Sequence, residues 1–262
     1  MQWSDQDVDA LLSKTESLAG SKKDKSCLIF SGSYLAQHVD YEPYLNRPDV
    51  DLIGHNLCWL LPGAEKFTYM LHGSRGYTHG YAQECTTFKT FCKRFGGHHL
   101  FCMNTKYWAG GPYPIPTKGD TIKAITRNNI DKYHIFTQEY SKQSLAYVAP
   151  HTDNYKLSRI PGGCGGTLNA VTIPFALKLG YKRIYVAGIG DQYLHHFYDG
   201  HIMFKYNVPP PKKVLSHRDI SLNRYRNLVK SARNSGSEIY AMPTKLVEPT
   251  IKSIFKTAEK IS

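Results

Sequence analysis

The sequence has 262 residues, of which 41% are hydrophobic and 13% aromatic, which is enough to build a buried core and excludes a largely disordered or fibrous chain. Lys and Arg number 33 against 21 Asp and Glu, so the formal net charge is +12. A basic protein attracts anions, so nucleic acid, an anionic membrane surface, a nucleotide and an acidic substrate are all candidate partners, and charge alone does not choose among them.

The N-terminus and the cysteines favour an intracellular protein. No basic segment followed by an apolar stretch and a cleavage site begins the sequence, and no apolar run reaches the roughly 18 residues of a membrane-spanning helix. The absence of a CxxC pair argues against a zinc or redox site and favours buried, reduced thiols. The cysteines are Cys27, Cys58, Cys85, Cys92, Cys102 and Cys164. We expect a cytoplasmic protein, with peripheral contact at the inner face of a membrane as an alternative.

Strands and helices alternate from the N-terminus onward. Helical spacing predicts an opening helix over 3–19, and a buried strand follows at 27–30 and ends in the turn Ser31-Gly32-Ser33. Further strands are predicted at 50–53, 67–71, 99–103 and 133–137. Spacings of three and four predict a helix through Tyr81, Cys85, Phe88, Cys92 and Phe95. This alternation is typical of an α/β protein with a mostly parallel central sheet flanked by helices.

Residues 162–189 form the most organised stretch of the sequence. Its glycines allow the backbone to approach a ligand closely, and Thr167 is placed to cap the helix that follows. Gly180 ends that helix. Pro174 lies inside it and removes one backbone hydrogen bond, so we expect a kink at this position.

The C-terminal part continues the alternation. A central strand is predicted at 184–187, a helix at 219–234, a strand at 238–242 and a last helix at 245–260. About 28 residues separate the central strand from the helix at 219, far more than the usual two to six. We interpret this excursion, approximately 190–217, as a lid over the active site, within one domain that spans 1–262.

The lid is rich in residues that perform proton transfer and bind phosphate. Histidine removes a hydroxyl proton near neutral pH, and tyrosine hydroxyls donate hydrogen bonds to phosphate without adding charge. The histidines, tyrosines and aspartates of the lid are Asp191, Tyr193, His195, His196, Tyr198, Asp199, His201, Tyr206 and His217. Their spacing matches no HExxH-like pattern, so we predict group transfer on a phosphate-bearing substrate without a bound metal.

A sequence pattern spanning this region resembles a known family. Gly165-Gly166-Thr167 precedes an apolar helix, and Gly180-Tyr181-Lys182-Arg183-Ile184-Tyr185 and Ala187-Gly188-Ile189 follow it. The pattern resembles bacterial sialyltransferases of the Campylobacter type and is similar to the related motility-associated-factor and DUF115 proteins. It extends over 160–245 and, more weakly, over 26–72. The resemblance implies a Rossmann-like fold of a GT-A-like variant, a CMP-activated acidic sugar as donor, inversion at the anomeric carbon, and no cofactor.

The resemblance also implies a role for each matching residue. His217 takes the place of the general base, and Tyr193 and Tyr198 hold the leaving phosphate. Asn56, Gly166 and Thr167 match residues that contact the nucleotide. From the glycines and small residues that follow the predicted strands and precede the helix, we add Gly32, Ser33, Gly165 and Gly188 to the nucleotide-binding positions. We assign His201, Lys212 and Lys213 of the lid to the acceptor side. The turn Ser31-Gly32-Ser33 departs from the GNGPSL sequence of the family and lacks its asparagine.

Two other functions stay open at this point. A DUF115-type pyrophosphokinase needs a magnesium-binding acidic cluster, for which only Asp191 and Asp199 are available. A non-catalytic nucleic-acid-binding protein would use the positive charge and the tyrosines, but the basic residues are spread along the chain and no RNP-like or helix-turn-helix signature is present. We therefore expect a sugar nucleotide and a glycan acceptor as partners, no specific nucleic acid, and consider a homo-oligomer.

Overall fold

The structure is a computed structural model, and it describes eight stretches of the chain. They are residues 5–72, 86–104, 130–139, 155–161, 168–189, 215–242, 249–258 and 260–261. At some positions within them, such as 86–89, 102–104 and 215–221, it describes the backbone only. The predicted cap at Thr167 and most of the predicted lid lie outside the described residues.

The described residues contain one sheet of nine strands. The strands are β1 Ser26–Phe30, β2 Val50–His55, β3 Tyr69–His72, β4 His98–Asn104, β5 Tyr133–Glu139, β6 Arg159–Pro161, β7 Arg183–Ala187, β8 Glu238–Ala241 and β9 Lys256–Thr257. Their spatial order is β6-β5-β4-β3-β2-β1-β7-β8-β9, and every neighbouring pair is parallel. Read across the sheet, the strand numbers fall from β6 to β1 and then rise from β7 to β9. The connections that follow β1 and β7 therefore lead to opposite sides of the sheet.

Helices connect and cover these strands. The α-helices are α1 Asp5–Glu16, α2 Thr86–Arg94, α3 Ile173–Leu179, α4 Leu215–Asn234 and α5 Pro249–Ile254. A π-helix, Leu168–Thr172, leads directly into α3. Short 3-10 turns follow β1 at Tyr34–His38 and β2 at Asn56–Leu60. In the described part of the chain, no helix is long and apolar enough to cross a membrane.

Both faces of the sheet are buried, which is why its central strands are continuous apolar runs. Successive side chains of a strand point to opposite faces, so Ile29 of β1 enters one core and Leu28 enters the other. The first core contains α3, α4 and α5, and the second contains Leu11 of α1 and Phe91 of α2. The result is a three-layer α/β architecture of Rossmann-like type, as the alternating pattern predicts.

A buried carboxylate ties the amino ends of the strands together. Asp51 of β2 accepts a hydrogen bond from the Tyr181 hydroxyl at 2.6 Å, and the ammonium groups of Lys22 and Lys25 lie 3.0 and 3.3 Å from its oxygens. Burial by itself raises the pKa of Asp51, but these donors outweigh it and hold that pKa below its usual value. Lys22 and Lys25, which contribute to the net positive charge of the chain, therefore have a structural role.

The structure confirms most predicted elements and their bounds within a few residues. Cys27, Cys58 and Cys92 are buried free thiols, as expected. Gly180 ends α3 in the left-handed conformation, with φ of 90°. Leu222 and Tyr225 lie on the buried face of α4.

The predicted last helix, 245–260, is wrong in length. The helix α5 ends at Ile254, and the chain then forms the short parallel strand β9 against β8. The predicted apolar face includes Ala258, but the Ala258 amide donates to the carbonyl of Ala241 instead of continuing a helix. The free edge of β8 carries unpaired backbone N–H and C=O groups. Pairing of β9 satisfies some of these groups, whereas another turn of α5 would satisfy none of them.

Two further details differ from the sequence interpretation. The helix α4 begins at Leu215, so the last residues of the predicted lid, including His217, belong to its first turn. Pro174 lies in the first turn of α3, and the irregularity expected there takes the form of the π-helix before it. A wider turn avoids the clash between the proline ring and the carbonyl one turn back.

Candidate functional site

The reversal of strand order between β1 and β7 marks the candidate site. In open parallel sheets, ligands bind beyond the carboxyl ends of the strands where neighbouring connections diverge. At this point β1 ends at Phe30 and β7 ends at Ala187, and the two are paired in register at those residues. The predicted nucleotide-binding residues Gly32, Ser33 and Gly188 directly follow these ends.

A hydrogen-bonded turn joins the two strand ends. The Ser31 hydroxyl donates to the carbonyl of Gly188 at 2.7 Å and accepts from the Ser33 amide at 3.2 Å. The Ser33 hydroxyl in turn accepts from the Leu35 amide and caps the following 3-10 turn. The structure thus brings Gly32, Ser33 and Gly188 together, with both serine hydroxyls already used in shaping the turn.

Gly188 has no room for a side chain. Its φ is 79°, and a Cβ there would lie 2.5 Å from Ser31 Oγ and 2.6 Å from the Ala36 amide nitrogen. Gly188→Ala should therefore lower the free energy of unfolding by roughly 2 to 5 kcal/mol, from left-handed strain plus overpacking. Urea unfolding followed by circular dichroism measures the change.

Gly236 provides the matched control for this substitution. Its φ is 76°, but a Cβ there would meet nothing within 4 Å. Gly236→Ala should cost only the backbone strain, about 1 to 2 kcal/mol. If the two variants lost the same free energy of unfolding, a Cβ at position 188 would not clash with its neighbours.

The end of β2 lies beside the β1 turn. Asn56 is the first residue after β2 and has a φ of 51°, which asparagine tolerates better than other non-glycine residues. The Cys58 thiol lies 3.5 Å from the carbonyl oxygen of Phe30 and 3.7 Å from that of Ser31, as their donor. The loop that carries Asn56 is therefore fixed against the loop that carries Gly32 and Ser33.

The π-helix crosses the same end of β2. Thr172 Oγ1 lies 3.2 Å from Nδ1 of His55, the last residue of the strand. Asn169, three residues earlier, is 0% exposed, and neither its Oδ1 nor its Nδ2 has a hydrogen-bond partner in the described structure. A buried polar group without a hydrogen bond lowers the stability of the fold by about 1 to 3 kcal/mol, so the Asn169 amide is expected to be costly unless it has a partner. A lone asparagine in a helical pattern gives no signal in the sequence, so Asn169 was not among the predicted site residues.

The other predicted site residues are placed only in part. His217 lies in the first turn of α4, and its side chain is not described. Outside the described residues lie Gly165, Gly166, Thr167, Tyr193, Tyr198, His201, Lys212 and Lys213. Their predicted roles stay predictions.

Two histidine pairs in the sheet were also not foreseen, and three of their four members are buried. His72 Nε2 lies 3.0 Å from His99 Nδ1, and His98 Nδ1 lies 3.0 Å from His134 Nε2, across β3, β4 and β5. Adjacent positions on β4 send His98 and His99 to opposite faces, so these are two separate pairs. Among the described residues no group of three or more His, Cys, Asp or Glu side chains could hold a metal ion.

Burial keeps these histidines neutral. Desolvation lowers the pKa of His99 and of His134 to about 3, with His98 adding to the effect in both cases. Desolvation and the neighbouring His99 also place the pKa of His72 well below its ordinary value. A neutral imidazole donates through one nitrogen and accepts through the other, so one hydrogen bond joins each pair without a charge. His134 Nδ1 has no hydrogen-bond partner among the described residues.

The candidate site is thus the region at the carboxyl ends of β1, β2 and β7, where the Ser31–Ser33 turn, Asn56, Gly188 and the π-helix lie. It has the location and the close backbone packing of a nucleotide site in a Rossmann-like sheet. A scan of protein-family models and a search of curated proteins found no match to the chain.

Proposed function

We propose that the protein is a metal-independent inverting glycosyltransferase that moves an acidic sugar, sialic acid or a related nonulosonic acid, from a CMP-sugar to a hydroxyl of a glycan acceptor. The main support is the reversal of strand order between β1 and β7, where Gly32, Ser33, Asn56 and Gly188 follow three adjacent strand ends. The family resemblance assigns Asn56 to the nucleotide, and the other three residues belong to the small-residue turns that follow β1 and β7.

In the proposed reaction the acceptor oxygen attacks the anomeric carbon from the face opposite the phosphate. A bond forms between that oxygen and the carbon, and the bond from the carbon to the phosphate oxygen breaks, which inverts the configuration. His217 takes the proton of the acceptor hydroxyl, and CMP leaves with the electron pair. Tyr193 and Tyr198 donate hydrogen bonds to the phosphate as its charge grows.

Residues on the predicted lid complete this proposal. Closure of the lid would exclude water, which otherwise competes with the acceptor. His201, Lys212 and Lys213 would face the acceptor side. We place the enzyme in the cytoplasm, where its net charge of +12 would draw in the anionic donor and an acidic glycan or an anionic membrane surface.

A nucleotide panel tests this proposal directly. CMP at about 100 times its Kd should stabilise the native state by about 2.7 kcal/mol, which for a chain of this size raises the thermal midpoint by roughly 5 to 11 °C. UMP, AMP and GMP at the same concentration should give a smaller rise. Differential scanning fluorimetry measures the shifts.

Chelation and salt titration separate the alternatives. The response to CMP should be the same in EDTA as in magnesium, since no metal takes part. A response to ATP only in the presence of magnesium would favour the pyrophosphokinase. Binding to mixed DNA that weakens steeply with salt, with no response to CMP, would favour a nucleic-acid-binding protein.

A further inference from the structure

The unpaired amide of Asn169 lies at the ligand end of the sheet. The segment 168–179 leads through Gly180 into the parallel strand β7, so it runs antiparallel to the strands and begins at their carboxyl ends. Thr172 is level with the end of β2, because its hydroxyl contacts His55. Asn169 is three residues nearer the start of the segment, about 4 Å further along its axis. It therefore lies beyond the strand ends, where parallel sheets bind ligands.

Two polar side chains of the π-helix are fully buried, and they differ in one respect. Thr172 has a hydrogen-bond partner in His55, whereas Asn169 has an acceptor oxygen and a donor nitrogen that are both unused within the described structure. Native proteins rarely leave buried polar atoms unpaired. Such π-helical turns are frequent at functional sites. The unused groups of Asn169, which find no partner among the described residues, therefore point to a ligand.

We propose that the Asn169 side chain hydrogen-bonds the base of the bound nucleotide. A carboxamide offers a donor beside an acceptor, and it matches a ligand edge that carries an acceptor beside a donor. Cytosine has such an edge in its ring N3 and its 4-amino group. The inference rests on the proposed function, because that function supplies a CMP-linked donor as the ligand.

The geometry limits what Asn169 recognises. An amide can rotate by half a turn and exchange its donor and acceptor positions, so it pairs with the edge of uracil as well as with that of cytosine. Asn169 is therefore assigned to holding a base, and selection between the pyrimidines falls to other groups. Because Asn169 is not exposed in the ligand-free chain, binding has to move the residues that cover it.

The stability of a leucine variant tests whether Asn169 lacks a partner in the free protein. Asn169→Leu removes two unpaired polar atoms at similar side-chain size, so its midpoint of urea unfolding should equal or exceed that of the wild type. The matched control is Thr172→Val on the same π-helix, which removes a made hydrogen bond and should lower the midpoint. A fall for Asn169→Leu as large as that for Thr172→Val would overturn the inference.

Binding of CMP and of ribose 5-phosphate, which lacks the base, identifies the group that Asn169 contacts. Titration calorimetry should show CMP binding to Asn169→Leu weakened by roughly 10- to 100-fold, and ribose 5-phosphate binding unchanged. Asn169→Ala should show the same two results, and it replaces the leucine variant in this experiment if that variant does not fold. Wild-type affinity for CMP in the variants, or an equal loss for both ligands, would overturn the inference and leave the proposed function standing. If the wild type bound no CMP, the proposed function itself would fall, and the assignment of Asn169 with it.

Discussion

Replacing His217 with Ala should lower the rate of sugar transfer by about 10² to 10⁴, the usual contribution of a positioned general base. Binding of CMP should stay close to wild type, because the base acts on the acceptor hydroxyl and not on the nucleotide. The substitution is mild for the fold, since alanine is the best helix former and His217 lies in the first turn of α4. Product formation from CMP-sialic acid, with calorimetry of CMP binding, measures both quantities.

The pH profile separates a general base from a structural histidine. In the wild type the rate should fall below the pKa of the base, and in His217→Ala the remaining rate should lose that dependence. His38 is exposed on the 3-10 turn after β1, so His38→Ala is a suitable control and should keep the full rate. Near-wild-type transfer by His217→Ala would refute the assignment, and His201 would be the next candidate.

Acidification should unfold the protein near pH 5. The buried histidines His72, His99 and His134 are held neutral in the folded state, and in the unfolded chain they bind protons below a pKa of about 6.5. A lowered folded-state pKa means that the unfolded state binds more protons, so stability is complete above pH 6.5 and falls as the pH drops below it. Three such groups together remove about 6 kcal/mol between pH 7.5 and pH 5. That loss is comparable with the whole stability of a typical protein.

Urea unfolding at a series of pH values measures this dependence. Below pH 6 the free energy of unfolding should fall by about 4 kcal/mol per pH unit. The double variant His72→Leu/His99→Leu removes one complete pair and should reduce the slope to about a third. A wild-type slope of about 1 kcal/mol per pH unit or less would contradict burial of neutral histidines.

The parallel sheet was predictable because its central strands are buried on both faces. Runs such as Cys27–Phe30 within β1 and Ile184–Ala187 within β7 have no polar alternation, and glycines or small residues end them. Those same endings identified Gly32, Ser33 and Gly188, which the structure brings together. Local patterns were sufficient here because strand, turn and helix signals agreed with one another.

The remaining features depend on contacts between distant parts of the chain. Lys256 and Thr257 form a strand only because β8 is beside them, and no short pattern predicts that pairing. His72 and His99 are each ordinary in sequence and become a pair through the register of β3 and β4. Asn169 is notable only because the described residues around it supply no partner, which is a property of the fold and not of the residue.

The strand β9 also bears on how two copies of the protein could associate. It has two residues, both exposed, and the Lys256 side chain is paired with Glu238 of the neighbouring strand. A second copy that added a strand here would gain very few backbone hydrogen bonds and would bring a charged side chain against itself. Short, charged edge strands protect sheets from growing into aggregates. If the protein forms a homo-oligomer, we expect the contact to use helical surfaces and to leave this edge uncovered.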